Sequence, residues 1–224
     1  MLVSTTSYDT IDLPSYPWAV AKVDNNKAVV TFPELGIIKL IKFSKCMTVT
    51  NIKDMKVGKC CDGVAYSNNK LVVSYLTNSP SVKILDMSGK VWKKCDKDHH
   101  GKYLFADPRY LTISADNSVI YVSDMGKNCV IGLTFDGKVK AIYNDDQLKG
   151  PNGLTVDRSG AVFVCGRWSH NIHQLSPNLT KVKIVLDIKQ GIKSPAGMAY
   201  CQDNSRLYVC KQYDDIKVYD LSLG

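Results

Sequence analysis

Cysteine and histidine are the residue types in this chain best suited to metal binding or nucleophilic chemistry. The eight cysteines include no Cys-x-x-Cys pair, the ligand spacing typical of a zinc finger. The chain begins without a basic segment and a long apolar core, so no secretory signal is expected. Because disulfides are rare inside cells, we predict reduced thiols. The cysteines are Cys46, Cys60, Cys61, Cys95, Cys129, Cys165, Cys201 and Cys210.

The histidines do not form a catalytic pattern. His99 and His100 are adjacent in a lysine-rich segment, where an extended chain points neighbouring side chains apart. His173 has no cysteine or carboxylate at a spacing that suits a shared metal ion. The sequence therefore predicts no catalytic residue, no metal site and no cofactor.

The composition is that of a globular domain, with 45% hydrophobic and 22% charged residues. No apolar run approaches the roughly 18 residues that a membrane-spanning helix needs. Lys and Arg number 29 against 21 Asp and Glu, for a net charge of +8. This charge permits a nucleic-acid partner without requiring one. We expect a soluble, cytoplasmic protein without a membrane partner.

A repeat of about 44 residues is the most informative feature of the chain. Each unit opens on a short apolar strand, continues through a polar turn, and enters a β-branched strand that ends on a small residue. No stretch has a helical period long enough to compete with this pattern. The small residues are Thr31, Ser74, Ser123, Cys165 and Cys210. The openings are Pro17–Ala21, Cys61–Ala65, Pro108–Thr112, Pro151–Thr155 and Pro195–Ala199.

Four antiparallel strands in each unit are the arrangement of a β-propeller blade. The sequence therefore predicts an all-β chain, residues 1–224 forming one β-propeller with five visible blades. Because the last unit lacks a fourth strand, we predict that residues 1–13 supply it and close the ring. The alternative is a fragment of a six-bladed ring. The repeats span approximately 17–60, 61–107, 108–150, 151–194 and 195–224.

The fourth unit carries two short motifs, Pro151-Asn152-Gly153 followed by Asp157, and His170-Asn171 before an apolar residue. These motifs resemble the NHL repeat, and the third unit is similar. The motifs themselves occur within residues 108–224, and the similarity in repeat spacing extends over most of the chain. It implies a propeller like those at the C-terminus of tripartite-motif proteins, in which His170 is a packing residue.

Two sets of connections lie at the same end of a propeller built in this strand order. They are the segments that enter the first strand of each blade and those that join the second strand to the third. Loops held on rigid blades are common binding sites, so we predict partner binding at this end. The predicted binding residues are Arg109, Tyr110, Lys127, Asn152, Arg167, Trp168, Lys211 and Tyr213. Most other lysines lie on fourth strands, where charge prevents edge-to-edge pairing.

These features predict a non-catalytic recognition or scaffold module that binds a macromolecule. Cations beside aromatic residues suit single-stranded RNA, and they equally suit an acidic peptide with aromatic anchors. The alternative is a propeller hydrolase or lyase with a metal at the central channel. Asp62 and Asn152 are the plausible ligands there, but calcium takes six to eight oxygens, so this set is poor.

Overall fold

A computed structural model describes residues 13–44, 48–211 and 215–221. These residues form 19 β-strands and one short 3₁₀ helix, Ile188–Gln190. The strands of blade 1 are β1 Val20–Asp24, β2 Lys27–Phe32, β3 Ile37–Phe43 and β4 Val49–Lys56. Those of blade 2 are β5 Cys61–Ser67, β6 Lys70–Tyr75, β7 Ser81–Asp86 and β8 Val91–Cys95. Those of blade 3 are β9 Pro108–Ile113, β10 Val119–Asp124, β11 Cys129–Thr134 and β12 Val139–Asn144. Those of blade 4 are β13 Pro151–Val156, β14 Val162–Gly166, β15 Asn171–Leu175 and β16 Lys181–Leu186. Blade 5 has β17 Pro195–Cys201, β18 Arg206–Lys211 and β19 Ile216–Asp220.

Each blade is an antiparallel sheet in which strands pair in the order of the sequence. The innermost strands of successive blades contact one another, β1 with β5, β5 with β9, β9 with β13 and β13 with β17. The arrangement confirms the predicted five-bladed β-propeller. In the described residues blade 5 has three strands, and the predicted closing segment falls on residues 1–12, outside the described residues, apart from Leu13. No helix in the described ranges is long and apolar enough to cross a membrane.

The polar turns that the repeat predicts form tight hairpins between the first and second strands. In blade 2, Asn68 and Asn69 both adopt positive φ, 49° and 59°. Two consecutive residues of this kind match the right-handed twist of the flanking strands, and asparagine tolerates the left-handed conformation better than most residues.

Glycine at the third position of an inner strand lets neighbouring blades approach closely. A Cβ on Gly63 would lie 2.5 Å from the carbonyl oxygen of Arg109 in blade 3. A Cβ on Gly153 would lie 2.7 Å from Cα of Gly197 in blade 5. The backbone contact around the channel therefore requires glycine at these two positions.

Four apolar clusters fill the spaces between successive blades, and we call these the inner interfaces. The interface between blades 2 and 3, for example, contains fully buried Ile84 and Val122. The outward faces of blades 1 and 5 form no such cluster in the described part of the chain. On these end faces, Val20 is 67% exposed and Ile216 is 66% exposed.

The small residues that end the second strands link the inner strands by hydrogen bonds. Thr31 Oγ1 donates to the carbonyl oxygen of Asp62 in the next blade at 2.6 Å. Ser74 Oγ accepts from the amide of Gly63 at 2.9 Å and donates to the carbonyl of Arg109 at 3.1 Å. The equivalent residues of blades 4 and 5, Cys165 and Cys210, are free thiols.

Candidate functional site

The end of the propeller where the inner strands begin is called the loop face, and buried polar side chains hold its backbone. The carboxylate of Asp124, at the end of β10, is fully buried. Its oxygens accept from the amides of Ala106 at 2.7 Å, Asp107 at 3.0 Å and Lys127 at 2.9 Å. One buried carboxylate therefore fixes both connections of blade 3 on this face.

Three other polar side chains hold the backbone of the connections to blades 4 and 5 in the same way. Asn128 Oδ1 accepts from the amide of Gly150 at 2.8 Å, and Asn171 Nδ2 donates to the carbonyl of Gln147 at 2.8 Å. His170 Nδ1 accepts from the amide of Ser194 at 3.0 Å. This hydrogen bond ties the connection that enters blade 5 to the loop that carries His170.

Lys127 and Trp168, two of the predicted binding residues, also contact the loop backbone. Lys127 Nζ donates to the carbonyls of Tyr103 and Leu104, at 2.7 Å in each case, so its charge is bound within the loop. The indole of Trp168 covers Gly150, where a Cβ would lie within 3.0 Å of three ring atoms. Trp168 nevertheless remains 58% exposed and available to a partner.

Lys211 and Arg167 lie further around the same face. Lys211 lines a shallow cavity together with His170 and Ile192. The amide of Arg167 donates to the carbonyl of Gly150 at 3.0 Å. Tyr213, also predicted to bind, lies outside the described residues.

The second residues of three neighbouring inner strands lie where these strands begin, and we call this place the channel mouth. Asp62, Arg109 and Asn152 occupy equivalent positions on β5, β9 and β13, which lie side by side. Arg109 Nη1 is 3.8 Å from Asp62 Oδ2. The ring centre of Trp18 is 5.7 Å from the guanidinium carbon of Arg109. Side chains from blades 1, 2 and 3 therefore converge there.

Asp107 is the residue of the channel mouth that sequence reasoning missed. Arg109 Nη2 donates to Asp107 Oδ2 at 3.1 Å, and Arg109 Nε lies 2.6 Å from Asp107 Oδ1 without the alignment of a hydrogen bond. The charge of Arg109 is thus already matched by a carboxylate. An Asp-x-Arg spacing at the start of a strand was the available signal, because residues two apart share a face.

The electrostatics of the channel mouth follow from burial. Desolvation raises the pKa of Asp62 to about 6, the Arg109 guanidinium acts in the opposite direction, and Asp107 adds to the increase. Burial also raises the pKa of the half-buried Tyr110 beside it. With two carboxylates and one guanidinium, the channel mouth carries net negative charge when both acids are ionised.

Asp62 and Asn152 are both largely buried at the channel mouth. Asp62 is 6% exposed, and its Oδ2 forms an ion pair with Arg109 Nη1 at 3.8 Å. Asn152 is 4% exposed, and its Oδ1 is buried without a partner in the described residues. An unsatisfied buried acceptor is costly, so Asn152 is an unusual feature of this face.

The metal-binding alternative would need several donor side chains close together in the described residues. Within them, no three or more His, Cys, Asp or Glu residues are grouped so that they could hold a metal ion. His99 and His100 stack on each other, with ring centres 3.8 Å apart.

His173 lies away from the loop face, in the interface between blades 3 and 4. It is fully buried, and its Nδ1 forms a 2.8 Å hydrogen bond with the Tyr143 hydroxyl. Burial lowers the pKa of His173, as does the charge of Lys181, while Asp145 opposes them. This histidine is a neutral packing residue near pH 7.

Comparisons with known proteins identify the fold only. No model of a protein family matches the chain, and no curated protein matches it. Among solved structures, a streptogramin B lyase aligns with a TM-score of 0.65 at 14% identity, covering 95% of this chain and 85% of that one. A nidogen/laminin complex aligns at 0.70 and 16% identity, covering 92% and 76%. A functionally unknown protein from Desulfotomaculum acetoxidans aligns at 0.70 and 16% identity, covering 95% and 68%.

Proposed function

We propose that this protein is a non-catalytic recognition module that binds a protein partner through the loop face. The observation that carries this proposal is the distribution of exposed large apolar side chains. Seven of them lie in the described connections of the loop face, Leu13 among them, whereas none lies in the described turns of the opposite face. The other six are Tyr16, Trp18, Leu35, Tyr103, Trp168 and Ile188.

The chemistry of these side chains favours a protein over RNA. Aromatic anchors surrounded by polar groups are typical of protein interfaces. Two of the predicted cations are less available to RNA phosphates, because Arg109 is matched by Asp107 and Lys127 by two carbonyls.

The comparisons are compatible with this role without deciding it. One similar fold comes from a complex of two proteins, nidogen and laminin, and another is a lyase. The motif resemblance to NHL repeats, and through them to the propellers of tripartite-motif proteins, supports a recognition module over an enzyme.

A pair of tryptophans provides a matched test. Trp168 on the loop face and Trp92 on the outer strand of blade 2 are both 58% exposed. We expect crosslinking capture from a cell extract to retain a protein with wild-type chain and Trp92→Ala, and to lose it with Trp168→Ala. An anchor of this type typically contributes more than about tenfold in affinity.

The outcomes separate the alternatives. Capture that survives ribonuclease and depends on Trp168 supports the proposal, whereas capture lost on ribonuclease treatment overturns it in favour of RNA. Stoichiometric metal in the purified protein would overturn it in favour of the hydrolase or lyase. Circular dichroism should confirm that both variants fold.

A further inference from the structure

We propose that the shallow cavity between blades 4 and 5 on the loop face, which we call the basic pocket, binds the carboxylate of an acidic side chain presented by the partner protein. This inference rests on the proposed function and names the chemistry that accompanies the Trp168 anchor, which lies in the same connection as His170. The basic pocket has a volume of about 390 Å³. Its lining residues are His170, Ile188, Gly191, Ile192, Lys193 and Lys211.

Three elements of the loop face build the basic pocket. They are the connection between β14 and β15, which carries His170, the connection between β16 and β17, and the end of β18, which carries Lys211. The amide of Ser194 donates to His170 Nδ1 at 3.0 Å and joins the first two elements. Lys217 Nζ donates to the carbonyl of Gly191 at 3.1 Å and joins the second connection to β19. The chain itself therefore fixes the position of the lining.

The hydrogen bond to His170 also decides which ring nitrogen carries the proton. A backbone amide can only donate, so Nδ1 must accept and carries no hydrogen. In the neutral ring the proton then lies on Nε2. No residue in the described part of the chain accepts a hydrogen bond from Nε2. This N–H group is a donor that a ligand can use.

Two lysines give the basic pocket charge of a single sign. Lys193 and Lys211 both line it, and none of its six lining residues is acidic. The side chain of Lys193 is exposed and forms no hydrogen bond or ion pair with another described residue. The ammonium group of Lys217, at the carbonyl of Gly191, adds a third positive charge nearby. The charge of the basic pocket therefore selects an anion.

The apolar part of the lining favours a carboxylate on a short apolar stem. Ile192 is 2% exposed and Ile188 is 63% exposed, so the pocket has one buried and one accessible isoleucine. The methylene groups of a glutamate can pack on these side chains while its carboxylate accepts from the histidine and lysine donors. A single-stranded RNA instead needs positive charge that follows its backbone, together with aromatic rings for its bases.

The first test uses the whole chain and two small probes of the same shape, Nα-acetyl-glutamate amide and Nα-acetyl-glutamine amide. We expect the glutamate probe to cause saturable NMR shifts at the backbone amides of Gly191, Lys193 and Ser194, and the glutamine probe to cause none. Equal shifts from the two probes would overturn the proposal, as would the absence of shifts from the glutamate probe.

Matched charge variants make the assignment specific. Lys193→Gln should weaken binding of the glutamate probe about threefold to fivefold, and Lys193→Arg should retain it. The double variant Lys193→Gln/Lys211→Gln should weaken it about tenfold or more. Lys140→Gln removes the same charge from an exposed position on the outer strand β12 and should leave binding unchanged. Equal binding by the double variant and the wild-type chain would overturn the proposal.

Two further probes test the identity of the anion. Binding of Nα-acetyl-phosphoserine amide more than tenfold tighter than the glutamate probe would overturn the carboxylate in favour of a phosphoryl group. Binding of the oligonucleotide rU8 that is tighter than that of the glutamate probe, and that Lys193→Gln weakens but Lys140→Gln does not, would overturn it in favour of RNA. Weaker or equal binding of both probes supports the carboxylate.

Failure of the basic pocket is distinguishable from failure of the recognition face. If capture of the partner depends on Trp168 but is unaffected by the double lysine variant, the basic pocket is wrong and the recognition face stands. If Trp168→Ala leaves capture unchanged, the proposed function itself fails.

Discussion

The inner interfaces and the end faces of this propeller are built from the same kind of strand, but their burial differs sharply. Ile84 and Val122, between blades 2 and 3, are fully buried, whereas Val20 and Ile216, on the outward faces of blades 1 and 5, are about two-thirds exposed. In the described residues, the apolar faces between successive blades are covered, whereas the outward faces of blades 1 and 5 are not. Stability should therefore be concentrated in the middle of the series.

The largest expected effect comes from the predicted closing strand. Deleting residues 1–13 should lower the free energy of unfolding by several kcal/mol, because blade 5 would lose the fourth strand that the sequence predicts for it. Thermal unfolding measures this loss, and a synthetic peptide of residues 1–13 should restore it. An unchanged melting temperature would contradict the closed five-bladed ring.

The next effect compares a buried and an exposed apolar side chain. Ile84→Ala should cost about 2–5 kcal/mol, because it leaves a cavity in an inner interface. Val20→Ala on an end face should cost less than about 0.5 kcal/mol. Urea unfolding of both variants checks the difference. Equal costs would show that residues beyond the described ranges cover the end face of blade 1.

A smaller effect compares a hydroxyl and a thiol at equivalent positions, Ser74 of blade 2 and Cys165 of blade 4. Ser74→Ala should cost about 1–3 kcal/mol, because the amide of Gly63 and the carbonyl of Arg109 both lose a buried partner. Cys165→Ala removes a free thiol and should cost only about 1 kcal/mol of packing. A greater loss of stability in Cys165→Ala than in Ser74→Ala would show that side-chain packing, rather than hydrogen bonding, holds the inner strands together.

The smallest expected effect is the pH dependence of the free energy of unfolding that His173 causes in the interface between blades 3 and 4. Burial keeps the pKa of His173 below its usual value, so the folded state resists protonation while the unfolded chain accepts a proton. Stability should therefore fall as the pH drops through about 6.5, the unfolded value. Asp62 acts in the opposite direction, because its folded pKa of about 6 lies above the unfolded value.

A variant isolates the histidine from this opposing carboxylate. His173→Gln should remove the loss of stability between pH 7 and 5.5 and should leave the contribution of Asp62 intact. Urea midpoints at several pH values measure the two profiles. Parallel profiles for the variant and the wild-type chain would exclude His173 as the responsible group.

The repeat in the sequence predicted the blades well because hydrophobic alternation and polar turns are local signals. The repeat predicts third strands that begin near Ile37, Val82, Val130, Ile172 and Ile216. In the structure they begin within one residue of these positions, at Ile37, Ser81, Cys129, Asn171 and Ile216. The fourth strand of blade 1, predicted near Thr48–Ile52, runs on to Lys56, because it stays paired with β3 as far as Ile37.

The chemistry of the loop face could be predicted only in part. Exposed Trp168 and the structural role of His170 followed from the sequence pattern. The pairing of Arg109 with Asp107 did not, and neither did the contacts of Lys127 with two carbonyls. Those contacts depend on the path of the loops in space, which strand periodicity does not encode.

The placement of the three tryptophans gives this protein an intrinsic optical reporter. Trp18 borders the channel mouth and Trp168 lies on Gly150, while Trp92 lies on the outer strand of blade 2 beside Lys70 Nζ, 3.8 Å from its ring centre. Replacing Trp92 with phenylalanine would leave indole emission only from the loop face. Fluorescence of the unlabelled chain would then report directly on what occupies that surface.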